Sequence, residues 1–223
     1  MRNKFKLKDH LNRFRTFYEP RDPRVPSALF KAECVKPDLE GFPYPLPSKK
    51  SDYTCCAETP DAVWFGASTG LTRYDKDSER ECDRVMYFSA PRDLPDNNVR
   101  ALLPEGNGIW VLTDKGAAYI EMKPLSTLDK CNMLLAETLK YVDRRGMVSQ
   151  RGLRIPGDLD SMHHYSHSDN DGSFTAGFAM GEVFKYATLK REKGADDPET
   201  LEAKRVATRA VEACLLLLHI PCR

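Results

Sequence analysis

The sequence predicts an α+β chain, with antiparallel β hairpins followed by α-helical hairpins, on three observations. A Trp-centred signature occurs twice, as Ala62-Val63-Trp64-Phe65-Gly66-Ala67-Ser68-Thr69-Gly70-Leu71 and as Gly108-Ile109-Trp110-Val111-Leu112-Thr113-Asp114-Lys115-Gly116-Ala117. After Pro124 the apolar period changes from two to about 3.6, the helical value. Asp197-Pro198-Glu199 then opens a last helix, with an N-cap residue followed by proline at the first helical position.

Each Trp copy reads as an apolar strand, a turn containing Gly, and a second short strand, Leu71 to Tyr74 or Ala117 to Ile120. Leu94-Pro95-Asp96-Asn97-Asn98-Val99 leads into a further apolar strand, which the turn Pro104 to Gly108 ends. The two tryptophans stand 46 positions apart, the spacing of one β-propeller blade. Two unrelated hairpins would also satisfy so short a motif. A propeller closes with four or more blades, and this chain has room for two. Residues 60–122 resemble the propeller repeats in sensor domains of bacterial two-component regulators, on the pattern Leu-Pro-x-Asn-x-Val, a Gly turn, Ile-Trp, Thr and Gly. The resemblance implies propeller-blade-like sheets.

Three regions follow from composition along the chain: a Pro-rich strap over 1–50, a β region over 51–123 and a helical region over 124–223. Pro20, Pro23, Pro26, Pro37, Pro43, Pro45 and Pro47 disfavour regular structure in the strap beyond a helix from Lys8 to Phe17. The interleaved aromatics Phe5, Phe14, Phe17, Tyr18, Phe30, Phe42 and Tyr44 argue for a strap lying over other structure, here expected to be the helical region. In the helical region, Leu128, Cys131, Leu135, Leu139 and Val142 share one face of a helix that should stop at Arg144-Arg145-Gly146. A second helix is predicted from Gly172 to Arg191, and a third from Pro198 through the apolar run Cys214 to Ile220. So apolar an end normally lies between neighbours.

The 223 residues carry 34 Lys and Arg against 33 Asp and Glu, so a net charge of +1 gives no bulk attraction to nucleic acid or to an anionic membrane. Arg2, Lys4, Lys6, Lys8, Arg13 and Arg15 make the first positions basic, the usual composition of a solvated end. No apolar run is long enough to span a bilayer and none forms a secretory signal core, which predicts a cytoplasmic location. The seven cysteines, odd in number and without C-x-x-C spacing, are read as reduced thiols.

The densest polar cluster is the loop before the second helix. It holds Asp158, Asp160, His163, His164, Tyr165, His167, Asp169, Asn170 and Asp171. The run Ser168-Asp169-Asn170-Asp171-Gly172, the helix with Phe184-Lys185-Tyr186-Ala187 and the terminal Ile220-Pro221-Cys222-Arg223 resemble bacterial proteins in which propeller repeats precede an (α/α) toroid, a six-hairpin glycosidase-like fold. That resemblance implies a truncated toroid and a carbohydrate ligand. Asp169, Asp171 and His167 are then the candidate catalytic groups, and His163, His164, Tyr165 and Asn170 the candidate substrate contacts. Activity, if present, would be that of a glycoside hydrolase or polysaccharide lyase, without a cofactor.

Other readings of the loop compete. Asp169 or Asp171 could cap the second helix, which is worth about 1 kcal/mol. An EF-type calcium loop fails because His167 and Phe178 would occupy its first and last ligand positions. Zinc could take His163 and His167 with Asp169 or Asp171, but no Glu follows as a base, and no metal is expected. Phosphate-loop, dinucleotide and serine-elbow motifs are absent. The second functional class is a non-catalytic scaffold that pairs with itself or another protein through sheet edges and the Leu-rich last helix.

Overall fold

The computed structural model describes residues 10–78, 81, 84–155, 158–165 and 169–219. The chain is mixed α and β and divides into two compact units, residues 1–127 with 155–158, and 128–154 with 159–223.

In the first unit the two Trp hairpins form as predicted and each grows into a four-stranded antiparallel sheet. Strands β1 (His10–Tyr18), β2 (Tyr53–Glu58), β3 (Ala62–Ala67), β4 (Gly70–Asp75), β5 (Val85–Phe88), β6 (Val99–Glu105), β7 (Gly108–Thr113) and β8 (Gly116–Leu125) build the orders β2-β3-β4-β5 and β1-β8-β7-β6. Both sheets are open. Their central hairpins turn over two residues each, pairing Ala67 with Gly70 and Thr113 with Gly116. Gly70 at φ +139° and Gly116 at φ +151° hold backbone that side-chain-bearing residues rarely adopt, and stand at the same place in the repeat.

The segment predicted as a helix from Lys8 to Phe17 is instead strand β1, which completes the second sheet against β8 from Tyr18↔Ala117 to His10↔Leu125. The outer edge of β8 offers a ladder of backbone groups that a local helix could not satisfy. Arg13 secures the pairing: its guanidinium carbon lies 4.8 Å above the Phe88 ring and Nη1 donates to the buried Asp93 carboxylate at 3.1 Å.

The main core lies between the sheets. Trp64, Leu71 and Phe88 of one sheet meet Val99, Leu102, Ile109, Val111 and Ile120 of the other. The strap covers the two outer faces. Val25 and Leu29 sit on Ala101, Trp110 and Ala117, while Leu39, Phe42 and Leu46 sit on Tyr53, Phe65 and Ala67. The strap therefore covers the β sheets, where the sequence placed it on the helical region; sheet faces offer broad apolar surface for its scattered aromatic and aliphatic residues.

The second unit holds α1 (Thr127–Glu137), a π-helical turn over Thr138–Val142, the ribbon β9 (Asp143–Arg144) and β10 (Met147–Val148), the ribbon β11 (Arg151–Leu153) and β12 (Met162–Tyr165), then α2 (Asp171–Lys193) and α3 (Pro198–Leu218). Arg145 and Gly146, expected to end a helix, form the tight turn of the first ribbon with φ of 58° and 90°. The Asp143 carboxylate accepts from the Gly146 N–H at 2.8 Å and fixes that turn.

Helix α3 starts where the sequence places it. Asp197 Oδ1 accepts from the N–H groups of Glu199 at 2.9 Å and Thr200 at 3.4 Å. The two helices pack as an antiparallel hairpin whose buried positions are Thr175, Ala179, Glu182 and Leu189 on α2 and Thr200, Ala203, Val206, Ala207, Ala210 and Ala213 on α3. Small residues on α3 allow close approach of the axes.

Candidate functional site

The loop before α2 was built in sequence around carboxylates and histidines. His163 lies on β12, with its imidazole over Gly152 of the neighbouring strand: a Cβ placed on that glycine would meet His163 Nε2 at 2.7 Å. Arg151 ties the ribbon together, its Nη1 donating to the Tyr141 carbonyl at 2.8 Å and its Nε to the His163 carbonyl at 3.0 Å. The Tyr141 hydroxyl donates to Asp160 at 2.6 Å, and Lys140 reaches the same carboxylate at 3.2 Å. These bonds to Tyr141 first, and then to Lys140, hold the Asp160 carboxyl below its usual range.

His164 and Tyr165 continue β12, with their side chains outside the described residues, as is the whole of His167. Asp169 and Asn170 are exposed. Asn170 holds the N-cap place of α2 without a side-chain capping bond, so the capping role expected of Asp169 or Asp171 is absent. Asp171 is instead in the first helical turn, where one carboxylate oxygen is buried without a hydrogen-bond partner among the described residues. A carboxylate at a helix N-terminus is favoured by the local backbone dipoles. Thr175, one turn on, ties the helix start to the first ribbon by accepting from the Val148 N–H at 3.0 Å.

Among the described residues, no group of three or more His, Cys, Asp or Glu side chains comes together in a metal-binding arrangement. Of the predicted site, the structure describes a strand residue, His163, and three consecutive residues at one helix start.

Two surface concavities were not anticipated. In the first unit a cleft of about 860 Å³ is lined by Tyr44 to Pro47 of the strap and by Glu81, Val85 and Tyr87. Tyr44 of this lining lies 5.4 Å from Tyr74, which Phe42 meets edge-on at 5.2 Å. The alternation Pro43-Tyr44-Pro45-Leu46-Pro47 was its sequence signal, since alternating proline holds a chain extended. In the second unit a shallow groove of about 450 Å³ runs along α3 between Leu201, Lys204, Arg205, Thr208, Arg209 and Glu212.

The second unit also leaves large apolar side chains in water. Met180 is 60% exposed and Phe184 66% on α2, and Leu201, Leu215 and Leu218 are 49, 50 and 80% exposed on α3. Among the described residues no helix is long and apolar enough to cross a membrane.

Searched against known proteins, the chain matches no protein family, no curated protein and no solved structure.

Proposed function

We propose that this chain is a non-catalytic protein-interaction protein that works through the helical hairpin of its second unit. The observation that carries this reading is the exposure of Met180, Val183, Phe184, Leu201, Leu215 and Leu218. Apolar side chains in such density on two adjacent helices mark an association surface. The test compares the wild type with Phe184→Glu/Leu215→Glu by light scattering and by anilinonaphthalene sulfonate fluorescence. The wild type should either scatter as more than one chain or bind the dye, and the variant should do neither while keeping its circular dichroism at 222 nm. A folded wild type that is one chain at every concentration and binds no dye overturns the reading.

On this reading the β unit is a rigid platform, and its sheets are two propeller-type blades stacked head to tail. Trp64 points toward the second sheet, whereas its repeat partner Trp110 points away from the first and under the strap. Equivalent positions therefore face the same way round, as they would in consecutive blades. Both indole N–H groups bond five residues back, Trp64 to Thr59 at 3.1 Å and Trp110 to Glu105 at 2.6 Å. The strap occupies the outer faces on which further blades would stack.

Carbohydrate binding is a second reading, favoured by the cleft with Tyr44, Tyr87 and Glu81. Aromatic faces beside a carboxylate suit the apolar face and hydroxyls of a sugar ring. Calorimetric titration with a panel of neutral and acidic oligosaccharides tests it. Binding lost in Tyr44→Ala but kept in Asp169→Ala/Asp171→Ala places the sugar in the cleft; the reverse places it at the loop, and no heat with any sugar rejects it.

A further inference from the structure

Most of the exposed large apolar residues of the hairpin are ordered. On α3, Leu201, Lys204, Thr208, Val211, Leu215 and Leu218 follow spacings of three, four, three, four and three, the heptad rhythm of helices that pair along a seam. Leu201, Lys204, Thr208 and Val211 each stand one residue after a buried position, Thr200, Ala203, Ala207 or Ala210, and Leu215 and Leu218 one residue after the half-buried Cys214 and Leu217. Helix α2 repeats the device: Ala176, Met180, Val183 and Ala187 each follow, by one residue, a position of its own seam row, Thr175, Ala179, Glu182 and Tyr186.

One residue turns a helix by about 100°. Because the helices are antiparallel, that step rotates them in opposite senses viewed from one end, and both rows come to the same side of the hairpin. The other side is covered: Arg209 meets Asp143 of β9 at 2.5 Å, the Gly146 turn lies on the Arg209 backbone, and Lys185 meets Asn132 of α1 at 2.5 Å. The uncovered rows carry Met180, Val183, Leu201, Val211, Leu215 and Leu218, all left in water, while the exposed Phe174, Phe184 and Leu216 stand outside the rows.

The spacing of each row reads the same backwards. The α2 row is centred between Gly181 and Glu182, and the α3 row between Arg209 and Ala210. Glu182 stands eleven residues before Lys193, the end of α2, and Arg209 eleven residues after Pro198, the start of α3. The two centres are therefore level, and one twofold axis can serve both helices.

We propose that the occupant of this face is a second copy of the same chain, docked with its α3 antiparallel to the first to form a four-helix bundle. This rests on the interaction reading above and names its partner. In that register Leu201 meets Leu218 of the other copy, Lys204 lays its aliphatic stem on Leu215, and Thr208 meets Val211. The groove along α3 receives these side chains. On the flank, Arg205 of one copy comes beside Glu212 of the other, twice by symmetry. Glu212 has no bonding partner within α3 or elsewhere among the described residues, whereas Arg205 holds Glu202 in an exposed pair at 2.7 Å. An isologous interface needs this self-complementarity of charge.

The test uses the full chain with Cys34, Cys82, Cys131 and Cys222 replaced by serine. Sedimentation should give a dimer, with Leu215→Glu weakening it on the order of a hundredfold, since two apolar contacts are lost per dimer. Glu212→Arg should weaken it about fivefold at low salt, and Arg205→Glu/Glu212→Arg should restore it. Under mild oxidation, a mixture of Thr208→Cys and Val211→Cys chains should cross-link as mixed dimers in preference to like pairs. A monomer at every concentration overturns the second copy; if that monomer binds dye through the apolar face, the interaction reading survives. A dimer in which like pairs cross-link preferentially, or which ignores Leu215→Glu, overturns the antiparallel register.

Discussion

Arg73 is fully buried with its Nη1 2.8 Å from the Asp75 carboxylate on the same strand. Its Nη2 reaches Asp61 at 2.7 Å, the guanidinium carbon lies 5.7 Å from the Trp64 ring centroid, and Nε has no partner among the described residues. Asp61 in turn accepts from Thr59, which accepts from the Trp64 indole. Burial raises the Asp61 carboxyl pKa, and the bonds from Thr59 and Arg73 outweigh that and hold it below its usual range.

Removing one partner from such a network leaves a buried charge uncompensated. Arg73→Ala should therefore destabilise the β unit by about 3 kcal/mol or more. Asp61→Asn, at a half-exposed position, should cost less, under about 1 kcal/mol. Urea unfolding followed by tryptophan fluorescence measures both, because Trp64 and Trp110 both lie in that unit. Equal losses for the two variants would show that Asp75 alone does not anchor the guanidinium.

The strap supplies a second prediction. Leu29 is completely buried beside Trp110 and Ala117. Leu29→Ala should cost about 2–4 kcal/mol in the same unfolding experiment, the range for a cavity in a packed core. If the strap lay on the helical region, the change would leave the tryptophan transition in place.

The repeated Trp hairpins and the start of α3 were legible in sequence because each is specified locally, by alternation, a two-residue turn or a cap. Strand β1 was not, since its pairing partner β8 lies a hundred residues away and its spacing of Leu11, Phe14 and Phe17 reads equally as a helix. The buried Arg73 and Asp93 were missed for a related reason: charge alone marks a residue as surface, and only the fold brings the compensating groups to it. At the loop the carboxylates were found but their role as caps was misassigned, because Asn170 occupies the N-cap place and Asp171 the first turn. The one-residue offset of the second apolar rows on α2 and α3 is present in the sequence. It becomes interpretable only when the structure shows which row is already buried.

Cysteine reactivity follows from burial. Cys55 is buried, and desolvation pushes its thiol up to about 11. Cys34 and Cys131 are exposed. In the folded protein at pH 8, iodoacetamide should modify Cys34 and Cys131 well before Cys55, as read by peptide mass spectrometry, because the thiolate is the nucleophile. Modification of Cys55 at the rate of Cys34 would mean that the space between the sheets opens to solvent.

Glu182 gives the helical hairpin a pH dependence of definite sign. Its side chain is buried in the α2 seam with one carboxylate oxygen lacking a partner among the described residues, and burial raises its pKa, with Lys185 opposing more weakly. A carboxyl whose folded pKa lies above its unfolded value binds its proton more tightly when folded. Its contribution is therefore most favourable below the unfolded pKa and is lost as pH rises through the folded one. The hairpin, followed by circular dichroism at 222 nm, should gain stability from this group on acidification from neutral pH toward the carboxylate range. Glu182→Gln removes the charge and keeps the shape, so it should stabilise the hairpin at pH 7 and flatten that dependence. Both effects should persist in the Leu215→Glu variant, because Glu182 faces the seam between α2 and α3 rather than the exposed row. A glutamine variant less stable than wild type at pH 7 would mean that the carboxylate is ionised and paired in the folded hairpin.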